Sequence, residues 1–149
     1  MIRGIADNLL PVARKQIKEV SKQKRYEAMF EVDKEDKEKF KIKGIYESYT
    51  AAFGMVVNQS GFQSAFAIYN EKGTNSDGDK KLITNLLYDM LRDMDFVRGY
   101  NQVIDENDYD LCKENIFNAQ HNHDQYELFF KEASIALKRA IRTFEIVKK

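Results

Sequence analysis

The amino-acid sequence predicts an all-α fold, a single-domain bundle of five to seven helices that spans residues 1–149. Three observations support this class. Apolar residues recur at helical spacing along most of the chain. One proline and seven glycines are present, so helices can run long. Charged residues form 32% of the chain and alternate in sign, which is typical of helices with one solvated face.

The first three helices follow from caps and breaks. Asn8 can cap the first helix, and Pro11 then lies in its first turn, where the missing N–H group is not needed. A second helix is predicted for residues 45–58 and a third for residues 62–71. Gly61 supplies the break between them, because glycine tolerates the backbone conformations that end a helix.

The middle of the chain is predicted to hold one longer and one shorter helix. Residues 72–80 have the composition of a loop. A fourth helix follows and buries its apolar positions between residues 82 and 90. Residues 95–107 look irregular, and a short helix is predicted around residues 109–117.

The last predicted helix has the clearest pattern. Its apolar residues recur at alternating steps of four and three, which is the spacing of a continuous seam on a long helix. The seam consists of Tyr126, Phe130, Ala133, Leu137, Ala140, Phe144 and Val147. We therefore expect one long helix that packs this seam into the core.

Residues 27–43 do not fit the helical pattern. Phe30 and Val32 precede a highly charged centre, and Phe40 and Ile42 follow it. The alternation on each side is compatible with a small hairpin, but strong helix formers fill the middle and no Asn-Gly or Asp-Gly turn closes it. We therefore expect a charged, mobile connection at residues 27–43.

The net charge is zero, but the charges are segregated. Residues 1–25 carry +5, residues 73–125 carry −6 and residues 126–149 carry +3. Two helices place basic side chains opposite their apolar seams, and these rows are named the first and second rails. The first rail is Arg14, Lys18 and Lys22, and the second rail is Lys131, Lys138, Arg142 and Lys149. The rails either bind a polyanion through its phosphates or merely solvate the helices.

The sequence contains no recognisable catalytic or metal-binding pattern. It lacks a Walker loop, a dinucleotide fingerprint and a Gly-x-Ser-x-Gly motif. His121 and His123 form the only histidine pair, but a zinc site needs three or four ligands and the sequence indicates no third one. We predict no enzymatic activity, no metal and no cofactor. A metal-dependent nuclease that uses the histidine pair stays open as a remote alternative.

The expected location is the cytoplasm. No stretch approaches the roughly 20 apolar residues that a membrane-spanning helix needs, and the first ten residues show no secretion-signal pattern. The single cysteine, Cys112, cannot form an internal disulfide, which fits a reducing compartment. We therefore expect no membrane association.

Residues 46–73, YESYTAAFGMVVNQSGFQSAFAIYNEKG, resemble the hallmark segment of the small helical subunit of type III-B CRISPR effector complexes, the fifth member of the Cmr group. In that family a Tyr-x-Ser start leads through a helix to an Asn/Ser-Gly-Leu turn and an alanine-rich helix. The matching residues are Tyr46, Ser48, Gly54, Val57, Ser60, Gly61, Ala65 and Ala67. Phe62 replaces the leucine of the turn, and residues 27–43 look like an insertion. Residues 132–147 are also similar to the family.

This resemblance implies a non-catalytic, all-helical subunit that is present in several copies in one complex. Its partners would be the backbone and large subunits of the Cmr complex, further copies of itself, and guide and target RNA through non-specific phosphate contacts. Copies would stack along the groove in which target RNA pairs with the guide, where both rails could contact phosphates. The alternative is a self-contained helical adaptor that binds only protein.

Overall fold

The structure of the protein, a computed structural model, describes residues 5–36, 38–69, 79–94 and 123–147. Within these residues the chain forms five α-helices, one 3-10 helix and three short strands. In chain order they are α1 (Ile5–Val20), the 3-10 helix (Lys24–Met29), β1 (Phe30–Val32), β2 (Phe40–Lys43), α2 (Gly44–Ser60), α3 (Phe62–Tyr69), α4 (Lys81–Met94), α5 (His123–Arg142) and β3 (Ile146–Val147). The predicted all-α class is confirmed, with a small sheet added to the helical bundle.

Several predictions fall on parts of the chain that the structure does not describe, among them the irregular stretch predicted at residues 95–107. The predicted short helix at residues 109–117 lies outside the described residues, as does most of the predicted loop at residues 72–80. Among the described residues, no helix combines the length and the apolar character that crossing a membrane requires.

Helix α5 lies at the centre of the described bundle. Both α1 and α2 pack along it, and α3 and α4 also contact it. The predicted seam is buried over the whole helical part, at Tyr126, Phe130, Ala133, Leu137 and Ala140. The Phe130 ring lies 5.7 Å from the ring of Phe62 and 4.8 Å from the ring of Phe66, so α3 packs its aromatic side against the seam.

The first helix begins earlier than predicted. Because α1 starts at Ile5, Asn8 lies inside the helix and is not its cap. Pro11 also lies inside α1, and its missing N–H group leaves the carbonyl of Asp7 without the usual donor four residues on. The spacing predicts that Leu9, Leu10, Ala13, Ile17 and Val20 share the apolar side of α1, and all of them are buried except Leu10, which is partly buried.

The seam of α5 ends earlier than predicted, because the helix stops at Arg142 and leaves Phe144 and Val147 outside it. The next residues form β3, which pairs in parallel with β2 and places Ile146 opposite Ile42. The backbone N–H of Ile42 donates to the carbonyl of Glu145 at 2.9 Å. Apolar residues at 144 and 147 fit either a helix or a strand, so the local pattern did not distinguish the two.

The sequence favoured a mobile connection over a hairpin at residues 27–43, and the structure has the hairpin. Strand β1 pairs with β2 in antiparallel fashion, with Phe30 opposite Ile42 and Val32 opposite Phe40. The three strands form one sheet in the order β1-β2-β3.

Aspartate side chains supply the turn bonds of this hairpin. One carboxylate oxygen of Asp33 accepts the backbone N–H groups of Glu35 at 2.8 Å and of Asp36 at 3.3 Å. The carboxylate of Asp36 accepts the N–H of Glu38 at 3.0 Å. Aspartate can stabilise a turn in this way without glycine. The lack of an Asn-Gly or Asp-Gly pair in the sequence therefore did not exclude a hairpin.

Candidate nucleic-acid interface

The break between α2 and α3 is held by α5. Gly61 adopts a φ of +90°, a conformation that favours glycine, and its N–H donates to the carbonyl of Val57 at 2.9 Å. The N–H of Phe62 lies 3.1 Å and 3.0 Å from the two carboxylate oxygens of Glu127. A carboxylate at the start of a helix stabilises its unpaired N–H groups. The Ser60-Gly61-Phe62 turn is therefore a structural junction that fixes α3 against α5.

A close contact between α2 and α5 forms the floor of a small groove. A Cβ atom at Gly54 would lie 2.9 Å from the hydroxyl oxygen of Ser134, so a larger residue at position 54 requires the Ser134 side chain or the helices to shift. The groove beside this contact has a volume of about 160 Å³ and is named the α2–α5 groove. It is lined by Thr50, Ala51, Gly54, Met55, Asn58, Lys131, Ser134, Ile135 and Lys138.

Three residues of the second rail lie on the side of α5 that faces α2. Lys131 and Lys138 both line the α2–α5 groove, about 10 Å apart along the helix axis. Nε of Arg142 lies 3.4 Å from a carboxylate oxygen of Glu47 in α2. In the described part of the chain, no ion pair includes Lys131 or Lys138. Lys149 lies outside the described residues.

The first rail makes several contacts within the chain. Nε of Arg14 donates to the hydroxyl of Thr143 at 3.0 Å, and its guanidinium lies 5.3 Å from the centre of the Phe144 ring. Lys22 lies two residues beyond the end of α1 and not on the helix, and its Nζ lies 3.0 Å from a carboxylate oxygen of Glu38 in the hairpin turn. Lys18 is exposed. This rail therefore helps to hold the hairpin and the segment after α5.

Among the described residues, the two rails approach each other near the end of α5. Arg14 contacts Thr143, which directly follows Arg142. Away from that point they line different cavities. Lys18 and Lys22 line a larger groove of about 710 Å³ between α1, the hairpin and residues 144–145, named the α1–hairpin groove.

The residues of α2 that line the α2–α5 groove were not predicted from the sequence. Thr50, Gly54 and Asn58 recur at steps of four, which places them on one face of a helix. Met55 lies beside them and is 60% exposed. The signal was therefore present as a row of small and polar residues at the edge of the buried side of α2, where Thr50 is itself buried, but a pattern of apolar residues does not reveal such a row.

Buried tyrosines fix the start of α4 and are not candidates for proton transfer at neutral pH. The hydroxyl of Tyr46 accepts the N–H of Asp79 at 2.9 Å, and burial raises the pKa of Tyr46. The hydroxyl of Tyr69 donates to the carbonyl of Tyr49. Burial, together with the nearby Tyr49, raises the pKa of Tyr69 to about 12. Nζ of Lys80 lies 5.5 Å from the ring centres of both Tyr49 and Tyr69.

The described residues do not assemble a metal centre. No group of three or more His, Cys, Asp and Glu side chains among them could hold a metal ion. Of the histidine pair, His121 lies outside the described residues and His123 is the first residue of α5. The candidate site in the described residues is instead the α2–α5 groove, which is lined by the cationic side chains of Lys131 and Lys138.

The chain is similar to a known protein family. No curated protein and no solved structure matches the chain significantly. The family model described as CRISPR-associated protein (Cas_Cmr5) matches residues 21–142, which include the hairpin, α2, α3 and α5. Because this match covers more than half of the 149 residues, the chain belongs to the Cas_Cmr5 family of CRISPR-associated proteins and is a subunit of a Cmr complex.

Proposed function

We propose that the chain is the non-catalytic structural small subunit of a type III-B CRISPR (Cmr) effector complex, and that several copies stack along the groove that holds guide and target RNA. The family match supports a role in the complex. The observation that carries the RNA contact is the α2–α5 groove, where Lys131 and Lys138 flank a floor of small residues. Binding the phosphate groups of RNA requires cationic side chains but no side chains that recognise particular bases, and this surface offers such cations.

The second rail is the core of the proposed RNA path. Lys131 and Lys138 carry no ion pair with another described residue. Arg142 is exposed in its pair with the half-buried Glu47, so it can exchange this contact for a phosphate contact. Lys149 and the first rail of Arg14, Lys18 and Lys22 extend the proposed contacts. Arg14 and Lys22 must first release Thr143 and Glu38. We therefore expect the second rail to contribute more than the first.

One observation favours the alternative, a helical adaptor that binds only protein. The first rail faces a groove in which carboxylates accompany the lysines, and such a mixed surface suits a protein partner better than a polyanion. The two functions predict different results when the charges of the second rail are reversed. Only a subunit that contacts RNA would then weaken the capture of target RNA.

The test is a double variant, Lys138→Glu with Arg142→Glu, in the reconstituted complex. Each phosphate contact that is lost lowers the log–log salt dependence of binding by about 0.7 to 0.9, so two contacts lower it by about 1.4 to 1.8. The expected result is weaker capture of target RNA at every target sequence, measured by filter binding across a salt series.

A matched control reverses two exposed lysines that lie off both rails, Lys15→Glu with Lys24→Glu. It changes net charge by the same amount and should leave the salt slope unchanged. Subunit incorporation is measured in parallel by native mass spectrometry. If the rail variant assembles normally and captures target RNA as well as the control, the RNA path does not run along α5.

A further inference from the structure

The α1–hairpin groove is larger than the α2–α5 groove, and of the proposed RNA contacts only Lys18 and Lys22 line it. Its volume of about 710 Å³ lies within the range of roughly 300–1,000 Å³ that is common for binding cavities. Phe40 and Phe144 form part of its lining, with their ring centres 5.4 Å apart. Val32 also lines it and is 41% exposed. The groove therefore offers apolar surface next to charged side chains.

Strand β1 borders this groove with an unpaired edge. It is the outer strand of the described sheet, whose order is β1-β2-β3. The N–H of Asp33 donates to the carbonyl of Lys39 at 2.9 Å, in register with the β1–β2 ladder. Antiparallel pairs alternate between bonded and non-bonded, so the Val32–Phe40 pair is non-bonded. The N–H and carbonyl of Val32 consequently point away from β2.

The charge of the groove does not favour a polyanion. Its lining holds four lysines and four carboxylates, namely Lys18, Lys22, Lys39, Lys41, Glu31, Asp33, Glu38 and Glu145. Two of the lysines are already paired with carboxylates of the lining, Lys22 with Glu38 at 3.0 Å and Lys41 with Glu145 at 3.8 Å. A phosphate backbone would meet as much repulsion as attraction here, which leaves a polypeptide as the better match.

We propose that this groove binds an extended segment of a different protein subunit, which adds a strand to the free edge of β1. Its main chain would pair with the outward N–H and carbonyl of Val32, as in other cases of strand addition. The exposed carboxylates of Glu31 and Asp33 flank Val32, so the matching segment carries an apolar residue between two basic ones.

A second copy of this chain is the poorer occupant. If two β1 strands paired antiparallel about Val32, Glu31 of each copy would lie opposite Asp33 of the other. Like charges directly opposite each other destabilise a strand pair. The same carboxylates that disfavour self-pairing attract a basic segment, which is why the inference names a different protein.

The first test is Val32→Pro in the reconstituted complex, with Val32→Ala as the matched control. Proline removes the outward N–H without breaking the bonds between β1 and β2, since proline is tolerated on an edge strand. Circular dichroism and thermal unfolding of the isolated chain check that the hairpin and the fold persist. The expected result is retention of this subunit in the complex that is about tenfold weaker for proline than for alanine. Equal retention of the two folded variants would contradict strand addition.

The second test identifies the occupant with a photoreactive benzoylphenylalanine at position 32 of the assembled complex. The expected product is a crosslink to another protein subunit, within a segment that contains an apolar residue between two basic ones. A crosslink to RNA, a crosslink to a second copy, or no crosslink in a fully assembled complex would each overturn the proposal. Because this readout is a protein contact and the rail variants report RNA capture, either proposal can fail without the other.

Discussion

The contact between Gly54 and Ser134 predicts that two substitutions in this protein do not act independently. Gly54→Ala places a methyl group 2.9 Å from the Ser134 hydroxyl oxygen, which is too close for an undisturbed contact. That hydroxyl donates to the carbonyl of Lys131 at 2.8 Å, so moving it away from residue 54 breaks this hydrogen bond.

Gly54→Ala changes the free energy of unfolding through contributions of opposite sign. In a helix interior, alanine is preferred over glycine by about 1 kcal/mol. Against this gain, the lost hydrogen bond of Ser134 costs about 1 kcal/mol and the tighter packing about 1 kcal/mol more. Gly54→Ala alone should therefore lower the free energy of unfolding by about 1 kcal/mol. In a Ser134→Ala background the atom nearest to the new methyl group is the Cβ of residue 134 at 3.6 Å, which is an ordinary contact. In that background Gly54→Ala should therefore raise the free energy of unfolding by about 1 kcal/mol.

The assay is urea unfolding of the wild type, the two single variants and the double variant. The expected coupling between positions 54 and 134 is about 2 kcal/mol. Ala52→Gly, at an exposed position of the same helix, measures the helix-propensity term by itself and should cost about 1 kcal/mol. If Gly54→Ala has the same effect in both backgrounds to within about 0.5 kcal/mol, the close approach of α2 and α5 is not what requires glycine.

Two further predictions concern the α2–α3 turn and the buried tyrosines. Glu127→Ala should destabilise the protein by about 1 to 2 kcal/mol, because the N–H of Phe62 loses its acceptor, while Glu127→Gln should cost less; equal unfolding midpoints for all three proteins would exclude this cap. Gly61→Ala should cost about 1 to 3 kcal/mol, because its φ of +90° strains a side chain, and an unchanged midpoint in urea would exclude that strain. The pKa of Tyr69 is raised to about 12 in the folded chain, against about 10 when unfolded, so the unfolded state loses its proton first. Stability should therefore fall between pH 10 and about 12, by up to roughly 3 kcal/mol, and Tyr69→Phe should flatten this loss; a slope that stays unchanged in Tyr69→Phe would assign it to other groups.

Local patterns in the sequence were sufficient to predict the described α-helices and to place Lys131 and Lys138 on one face of α5. The seam from Tyr126 to Ala140 predicted a long, deeply buried helix, and α5 is that helix. The same spacing placed Lys131 and Lys138 on one face, where the structure has them lining one groove. These predictions succeed because the helical repeat is a property of neighbouring residues, three or four positions apart.

The sheet and the two grooves could not be predicted in this way. Strand β3 is a strand because Ile146 pairs with Ile42, more than a hundred residues earlier in the chain. The spacing of the first rail did not predict that Arg14 donates a hydrogen bond to Thr143, because the two residues become neighbours only when α1 packs along α5.

The amino-acid sequence by itself determined the helical class, the buried sides of α1, α4 and α5, and the resemblance to the family that the Cas_Cmr5 match identifies. Tertiary structure alone decided that Gly54 faces Ser134, that Glu127 caps α3, and that β1 has a free edge beside a groove. The physical reason is that periodicity records which side of an element is apolar, whereas a close approach, a distant cap or an open edge depends on which elements pack against each other.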